Sequence, residues 1–148
     1  MSKMIPRGII RYEDAKTNYD KYKVNRQDAH LDTACHYLHQ CMELCLKGLV
    51  EIFTGEEWAR GHELEKQINP LIEVVNLNKN NEAEIDFSVL YNICVKINNK
   101  ISEYDKWYNP SRYEDNFVVT TLNVDEAFEI CAELINFCNS IIKVEKHS

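Results

Sequence analysis

The sequence predicts an all-α fold, an antiparallel up-and-down helical bundle of about five helices. Glycine and proline are scarce, with four and three among 148 residues, which suits long helices better than many short strands. Apolar residues recur at steps of three and four along most of the chain, which is the spacing of an amphipathic helix. The one stretch of strand-forming residues, 117–122, has no second strand to pair with, so we expect an extended connection there.

The second helix is the best defined element, and its predicted range is Asp28 to Thr54. Gly55 follows at the position where a helix usually stops. A shorter and more polar helix precedes it, from Tyr12 to Lys23.

The apolar stripe of this second helix is wide. A helix that is apolar over such an arc needs neighbours on two sides, and a second subunit can supply one of them through a two-fold contact. Met42, Leu46 and Leu49 lie beside Cys41 and Cys45 in this arc, and we therefore expect a homodimer. The full stripe comprises Leu31, Ala34, Cys35, Leu38, Cys41, Met42, Cys45, Leu46, Leu49, Ile52 and Phe53.

Three more helices follow. The third is predicted from about Gly61 to Asn76, interrupted or bent at Pro70, and a polar loop occupies residues 76–84. The fourth begins near Phe87 and ends before Asn109-Pro110, because the residue before a proline disfavours helix.

The last helix has the clearest start signal in the chain. Asn123 is followed three residues later by Glu126, which is the capping-box pattern, and the helix is expected to run to Lys143.

Length and composition indicate one ordinary globular domain spanning residues 1–148, with 45% apolar and 28% charged residues. The net charge of -7 weighs against broad DNA binding and against an anionic membrane surface, although a small local basic site is compatible with it. No run of about 18 apolar residues exists, and the N-terminus lacks the apolar core of a signal peptide. We therefore expect a cytoplasmic protein that does not span a membrane.

The six cysteines are interpreted as core residues rather than as ligands or nucleophiles. Cys41 and Cys45 share a helix face, but structural zinc sites use short-spaced ligand pairs in compact loops, and a second such pair is missing. A cysteine in an apolar stripe behaves as a small hydrophobe, and its thiol is a poor nucleophile. We predict reduced thiols and no metal ligand among them.

Three histidines, His30, His36 and His39, lie close together on the second helix. They fall off the centre of the apolar stripe, so we expect edge or surface positions. A helical bundle with a zinc site at these histidines stays open as an alternative.

Three segments, residues 40–49 (QCMELCLKGL), His62-Glu63-Leu64 and residues 111–115 (SRYED), together resemble the HEPN domain family, a nucleotide-binding family of prokaryotes and higher eukaryotes. Residues 40–49, QCMELCLKGL, resemble its central helix, and His62-Glu63-Leu64 resembles the start of its next helix. Residues 111–115, SRYED, resemble its Arg-Tyr-Pro segment. The order and spacing of the three segments extend the resemblance over roughly residues 12 to 143.

The resemblance implies a nucleotide-binding site that includes Arg112, Tyr113, Lys47 and His62, without a cofactor. It also implies a possible partner protein, a separately encoded minimal nucleotidyltransferase, as in toxin–antitoxin pairs. Arg112 follows a proline and lies among aromatic residues, which suits a phosphate with a stacked base. Two structural alternatives stay open, with Arg112 capping helix-end carbonyls and His62 capping a helix start.

Glu43 and Lys47 are spaced as an i, i+4 ion pair in the favourable orientation. The preferred interpretation of such a pair is a solvent-exposed salt bridge on a helix face, which contributes little stability.

Two departures from the family pattern bear on catalysis. Glu114 replaces the proline after Arg-Tyr and places a carboxylate beside the predicted anion site. Catalytic HEPN ribonucleases carry an arginine followed by a histidine after four to six residues. Here three residues separate Arg26 from His30, one separates Arg60 from His62, and no histidine follows Arg112 at that spacing. We therefore assign no catalytic residue, and an endoribonuclease built around Arg112, or around Arg26 and His30, is the alternative.

Overall fold

A computed structural model describes residues 3–79, 84–108 and 118–147 of the chain, without the side chains of 145–147. Six α-helices and no strands occur in these ranges, so the predicted all-α bundle is confirmed. The helices are α1 (Met4–Asn25), α2 (Asp28–Thr54), α3 (Glu65–Leu77), α4 (Phe87–Asn99), α5 (Ile101–Lys106) and α6 (Thr121–His147). None of the described helices is long and apolar enough to cross a bilayer.

Helix α2 is the central element of the bundle. It contacts α1, α3, α5 and α6, and every residue from 41 to 50 is buried. Its predicted range is confirmed, and Gly55 ends it in the left-handed conformation at φ 70°. The backbone N–H of Gly55 donates to the Glu51 carbonyl at 3.0 Å, the usual way of closing a helix C-terminus.

The first helix begins earlier than the predicted Tyr12, because its N-terminal part is held by packing against α2. Ile5 is fully buried, and Gly8 lies against the backbone of α2. A Cβ on Gly8 would lie 2.6 Å from Cys45 Sγ, so the missing side chain permits this close approach. Pro6 lies in the first turn, where its missing N–H interrupts no intrahelical hydrogen bond.

The third helix begins at Glu65 rather than at the predicted Gly61. Gly61 has a φ of 106°, which is incompatible with a right-handed helix. Pro70 lies inside α3, and the helix continues beyond it to Leu77, so the predicted interruption is wrong. Of the predicted loop at residues 76–84, residues 80–83 lie outside the described ranges.

The predicted fourth helix is divided into α4 and α5. Lys100 leaves the helical conformation with φ -120° and ψ 18°, and its N–H donates to the Ile97 carbonyl at 3.1 Å. The break is held from α6, because Asn123 Oδ1 accepts a hydrogen bond from Lys100 Nζ at 2.9 Å. The Asn123 amide also donates to the Glu103 carboxylate at 2.8 Å.

Asn123 is therefore not the N-cap of the last helix, and that prediction is wrong. Helix α6 starts at Thr121, and the hydroxyl of Thr120 accepts the Asn123 N–H at 3.3 Å. Val118 to Thr120 have no regular secondary structure, as expected for the described part of the connection.

Candidate functional site

A row of polar side chains runs along α2 through the interior of the bundle. His39 is fully buried, and Glu43 and Lys47 are only 5% and 7% exposed. These three residues are spaced four apart, so they share one face of the helix. The predicted solvent-exposed salt bridge and the predicted edge position of His39 are both wrong, because the segment after α2 and the end of α5 cover this face.

Glu43 is the centre of the cluster. Its Oε2 accepts a hydrogen bond from Lys47 Nζ at 2.9 Å, and its Oε1 lies 2.9 Å from His62 Nδ1. His39 Nδ1 lies 3.9 Å from the same Oε1. A buried carboxylate is strongly unfavourable unless it is paired and hydrogen-bonded, and Lys47 and His62 together meet that requirement.

Asp105 of α5 joins three parts of the chain at the same place. Its Oδ1 lies 3.2 Å from His39 Nε2 and accepts the backbone N–H of Leu64 at 3.2 Å. One carboxylate oxygen therefore links α2 to the start of α3. Within the described ranges, His39 Nδ1 has no hydrogen-bond partner.

The cluster reaches the surface through an aromatic stack. The rings of His62 and Tyr108 lie nearly parallel, with centroids 3.9 Å apart, and the His62 side chain is 49% exposed. His36 and His39 flank Tyr108 at 5.6 Å and 5.4 Å. The site thus combines an accessible planar surface with a buried network of charges behind it, which allows stacking of a planar ligand.

The structure brings together two of the four residues singled out by the sequence, Lys47 and His62, through Glu43. The other two, Arg112 and Tyr113, lie outside the described residues. His39 and Asp105 were not predicted to be members of the site. The signal for His39 was available, since polar residues recur at helical spacing from His36 to Lys47 on an otherwise apolar helix.

The cysteines form a separate, non-polar feature. All six are free and buried. Hydrogen bonding to the Cys131 and Cys45 thiols, together with burial, raises the pKa of Cys41 well above its usual value. Burial raises the pKa of Cys94 to about 12. These two thiols are therefore protonated at neutral pH and are poor nucleophiles.

The alternative sites find no geometric support in the described part of the chain. No group of three His, Cys, Asp or Glu side chains there is arranged to hold a metal ion. Arg26 ends α1 in the left-handed conformation, and its guanidinium lies over the Tyr22 ring at 5.5 Å. His30 lies in the first turn of α2, about 20 Å along the helix axis from Glu43. Arg26 and His30 are thus remote from the polar cluster.

These observations define the class of protein: it is an all-helical bundle with a buried, paired ionic cluster on its central helix. The HEPN domain family model matches residues 10–141, which is most of the chain, and the chain therefore belongs to the HEPN family. The resemblance seen in residues 12 to 143 is confirmed. Family membership places the chain among nucleotide-binding or ribonuclease-type modules. No curated protein and no solved structure matches the sequence.

Proposed function

We propose that this chain is a non-catalytic HEPN module that binds a nucleotide where His62 and Tyr108 stack. The accessible ring stack, with centroids 3.9 Å apart and a buried ion network behind it, is the observation that carries the proposal. Stacking of a base on an aromatic side chain contributes about 1–3 kcal/mol. Arg112 follows Tyr108 by four residues in the sequence and is the proposed phosphate ligand, with Tyr113 beside it.

Lys47 enters the proposal as a positioning residue. Its ammonium is buried and paired with Glu43, whose second oxygen lies against His62. Lys47 thus offsets the charge of Glu43, and Glu43 holds the imidazole that stacks on Tyr108. We therefore propose an indirect role for Lys47, in contrast to the direct role proposed for Arg112.

Calorimetric titration with ATP and GTP at fixed salt tests the site. Arg112→Ala should weaken binding by about ten- to a hundredfold, because a charge-assisted hydrogen bond contributes about 1.5–3 kcal/mol. His62→Ala should weaken it less, since one stacking surface remains. Arg7→Ala, an exposed arginine of α1, is the matched control and should bind as the wild type does.

Two results would count against this proposal. If Arg112→Ala binds as tightly as the wild type, the proposed phosphate ligand is wrong. If the wild type binds neither nucleotide, the nucleotide part of the proposal fails and only a role in protein interaction is left. Degradation of RNA by the wild type in EDTA, lost on Arg112→Ala, would support the ribonuclease alternative instead.

The partners are also proposals. We infer a cytoplasmic homodimer that pairs with a separately encoded minimal nucleotidyltransferase in a toxin–antitoxin-like system, as the family resemblance implies. The dimer contact must differ from the one expected from the stripe of α2, because Met42, Leu46 and Leu49 are fully buried within the chain.

Light scattering at micromolar concentration should give about twice the 17.4 kDa of the chain. A clean monomer would refute the dimer without affecting the nucleotide site. Co-purification with the product of the adjacent gene is the corresponding measurement for the partner.

A further inference from the structure

One ring nitrogen of His39 in α2 is buried and is not satisfied by any described residue. The side chain is fully buried, and Nδ1 has no hydrogen-bond partner within residues 3–79, 84–108 and 118–147. The other nitrogen, Nε2, lies 3.2 Å from Asp105 Oδ1. An ionised carboxylate can only accept a hydrogen bond, so the proton of a neutral His39 has to lie on Nε2. Nδ1 would then be an unpaired acceptor in the interior of the bundle, which is unfavourable.

The group that Nδ1 faces is itself an acceptor. Glu43 Oε1 lies 3.9 Å from this nitrogen, and Glu43 is only 5% exposed. A lone pair and an anionic oxygen repel each other at this distance, and a buried site screens the repulsion weakly. A second proton on His39 reverses the interaction, because an N–H and a positive charge then face Glu43. The surroundings of both nitrogens therefore favour the imidazolium form.

The charges of the polar cluster support the same form independently. Two carboxylates, the buried Glu43 and the partly buried Asp105, lie near one ammonium, that of Lys47. His62 Nδ1 donates to Glu43 Oε1 at 2.9 Å, which a neutral imidazole can do, and the His62 side chain is 49% exposed. The cluster therefore lacks one positive charge, and carboxylates removed from water are unfavourable without matched partners. An imidazolium at the fully buried His39 supplies the missing charge.

Other rings also surround His39. Tyr108, after α5, has its ring centroid 5.4 Å from that of His39. His36, one turn earlier on α2, lies 5.6 Å from the same tyrosine. Helices α1 and α6 contact α2 on the opposite side, near its cysteines. Among the described residues, the titratable groups around His39 are Glu43, Asp105, His62, His36 and Tyr108.

Asp105 connects His39 to both segments that carry the His62–Tyr108 stack. Its Oδ1 accepts the backbone N–H of Leu64 at 3.2 Å, and Leu64 comes two residues after His62. Tyr108 follows Asp105 by three residues. A charged His39 therefore holds both rings in place through one carboxylate. A neutral His39 keeps a weaker hydrogen bond to that carboxylate, and the contact on the other side of its ring becomes repulsive.

We propose that His39 is a positioning residue of the nucleotide site and makes this site sensitive to pH. Its imidazolium bridges Glu43 and Asp105 and fixes the His62–Tyr108 stack. Loss of one proton as the pH rises removes the bridge, loosens the stack and weakens nucleotide binding. The regulation rests on the proposed function, whereas the charged bridge exists in the chain without a ligand.

The protonation state of His39 is tested first, on the full chain without nucleotide. Nitrogen-15 NMR distinguishes a neutral imidazole, with one protonated nitrogen, from an imidazolium, with two. Both nitrogens of His39 should be protonated at neutral pH. In Asp105→Asn, which keeps the shape of the side chain and removes its charge, one proton should be lost at a lower pH than in the wild type. His30, in the first turn of α2, is the internal reference, and its titration should be the same in both proteins.

Calorimetric titration with ATP at about pH 6 and about pH 8 tests the regulation. Binding by the wild type should weaken by at least about fivefold at the higher pH. His39→Gln should bind about as weakly as the wild type does at the higher pH, without the pH dependence, because an amide carries no charge. This variant retains His62, so a pH dependence that arises at His62 would persist in it. If His39→Gln does not fold, Asp105→Asn takes its place, since Asp105 is 29% exposed, and the dependence should move to lower pH.

Three results would overturn the proposal. The first is a wild-type His39 that carries a single proton at neutral pH. The second is an identical titration of His39 in the wild type and in Asp105→Asn. The third is an equal pH dependence of ATP binding in the wild type and in His39→Gln. If the wild type binds no ATP at either pH although His39 is doubly protonated, the proposed function and its regulation fail and the charged bridge stands.

Discussion

Both buried faces of α2 pack against other helices, but they do so with opposite chemistry. On the thiol face, Cys41 and Cys45 lie against thiols of α6 and against Gly8 of α1. On the polar face, Glu43 and Lys47 form a buried ion pair that His62 completes. The thiol face depends on volume and close approach, whereas the polar face depends on matched partners.

This difference predicts different responses to substitution. A small apolar group can be removed from a packed interior at a cost set by the space that it leaves. Removing one member of a buried ion pair leaves an uncompensated charge, which is much more unfavourable. Substitutions on the two faces of the same helix therefore test the comparison directly.

The largest effect is expected for Glu43→Ala. This change removes the acceptor of Lys47 and of His62 and leaves a buried ammonium, so the free energy of unfolding should fall by about 3–5 kcal/mol. Urea unfolding followed by circular dichroism measures it. Glu51→Ala, on the same helix but partly exposed, should change stability by less than about 0.5 kcal/mol. A loss below about 1 kcal/mol for Glu43→Ala would show that the pair is hydrated rather than buried.

Conversion of the polar face into an apolar one sharpens the same comparison. Glu43→Met combined with Lys47→Met should recover most of the stability lost in Glu43→Ala, because a well-packed apolar pair often replaces a buried ion pair at no net cost. The double variant should still lose the fixed position of His62, which amide and imidazole NMR shifts would report.

An intermediate effect is expected on the thiol face for Gly8→Ala. The added Cβ would meet Cys45 Sγ at 2.6 Å and the Cys41 carbonyl oxygen at 3.2 Å, so α1 must shift away from α2. Overpacking of this kind costs about 1–3 kcal/mol. Thr17→Ala, at an exposed position of α1, is the control and should be nearly neutral. Unchanged stability of Gly8→Ala would mean that the helices are not in close contact there.

The smallest effect is expected for Cys45→Ala, which removes one buried sulfur and should cost about 1 kcal/mol. The informative quantity is its coupling to Gly8→Ala. Because the Cys45 thiol is the nearest atom to the added Cβ, the double variant should lose less stability than the two single variants together. Strict additivity would place the strain of Gly8→Ala in the backbone instead.

Local signals in the sequence determined the central helix and the family. The bounds of α2 were predicted correctly, because helical periodicity and a left-handed glycine at its end are properties of neighbouring residues. The order of three short segments was sufficient to indicate the HEPN family, and the family model confirms it over residues 10–141. The same resemblance singled out His62 and Lys47, which both contact Glu43, and their part in nucleotide binding stays a prediction.

Element boundaries held by distant residues were not predictable. The first helix extends to Met4 because α2 covers Ile5 and receives Gly8. The break at Lys100 is held by Asn123, which sequence reasoning placed at a helix cap. In both cases the deciding contact joins residues more than twenty positions apart, and a local pattern carries no information about such a contact.

The polar cluster shows the same division within one helix. Periodicity placed Glu43 and Lys47 on a shared face of α2, and that much the sequence determined by itself. Only the tertiary structure decided that this face is buried, because the cover comes from His62 after α2 and from Asp105 of α5. A helical pattern specifies which side chains point the same way. Whether they point into water or into another layer depends on where the rest of the chain packs.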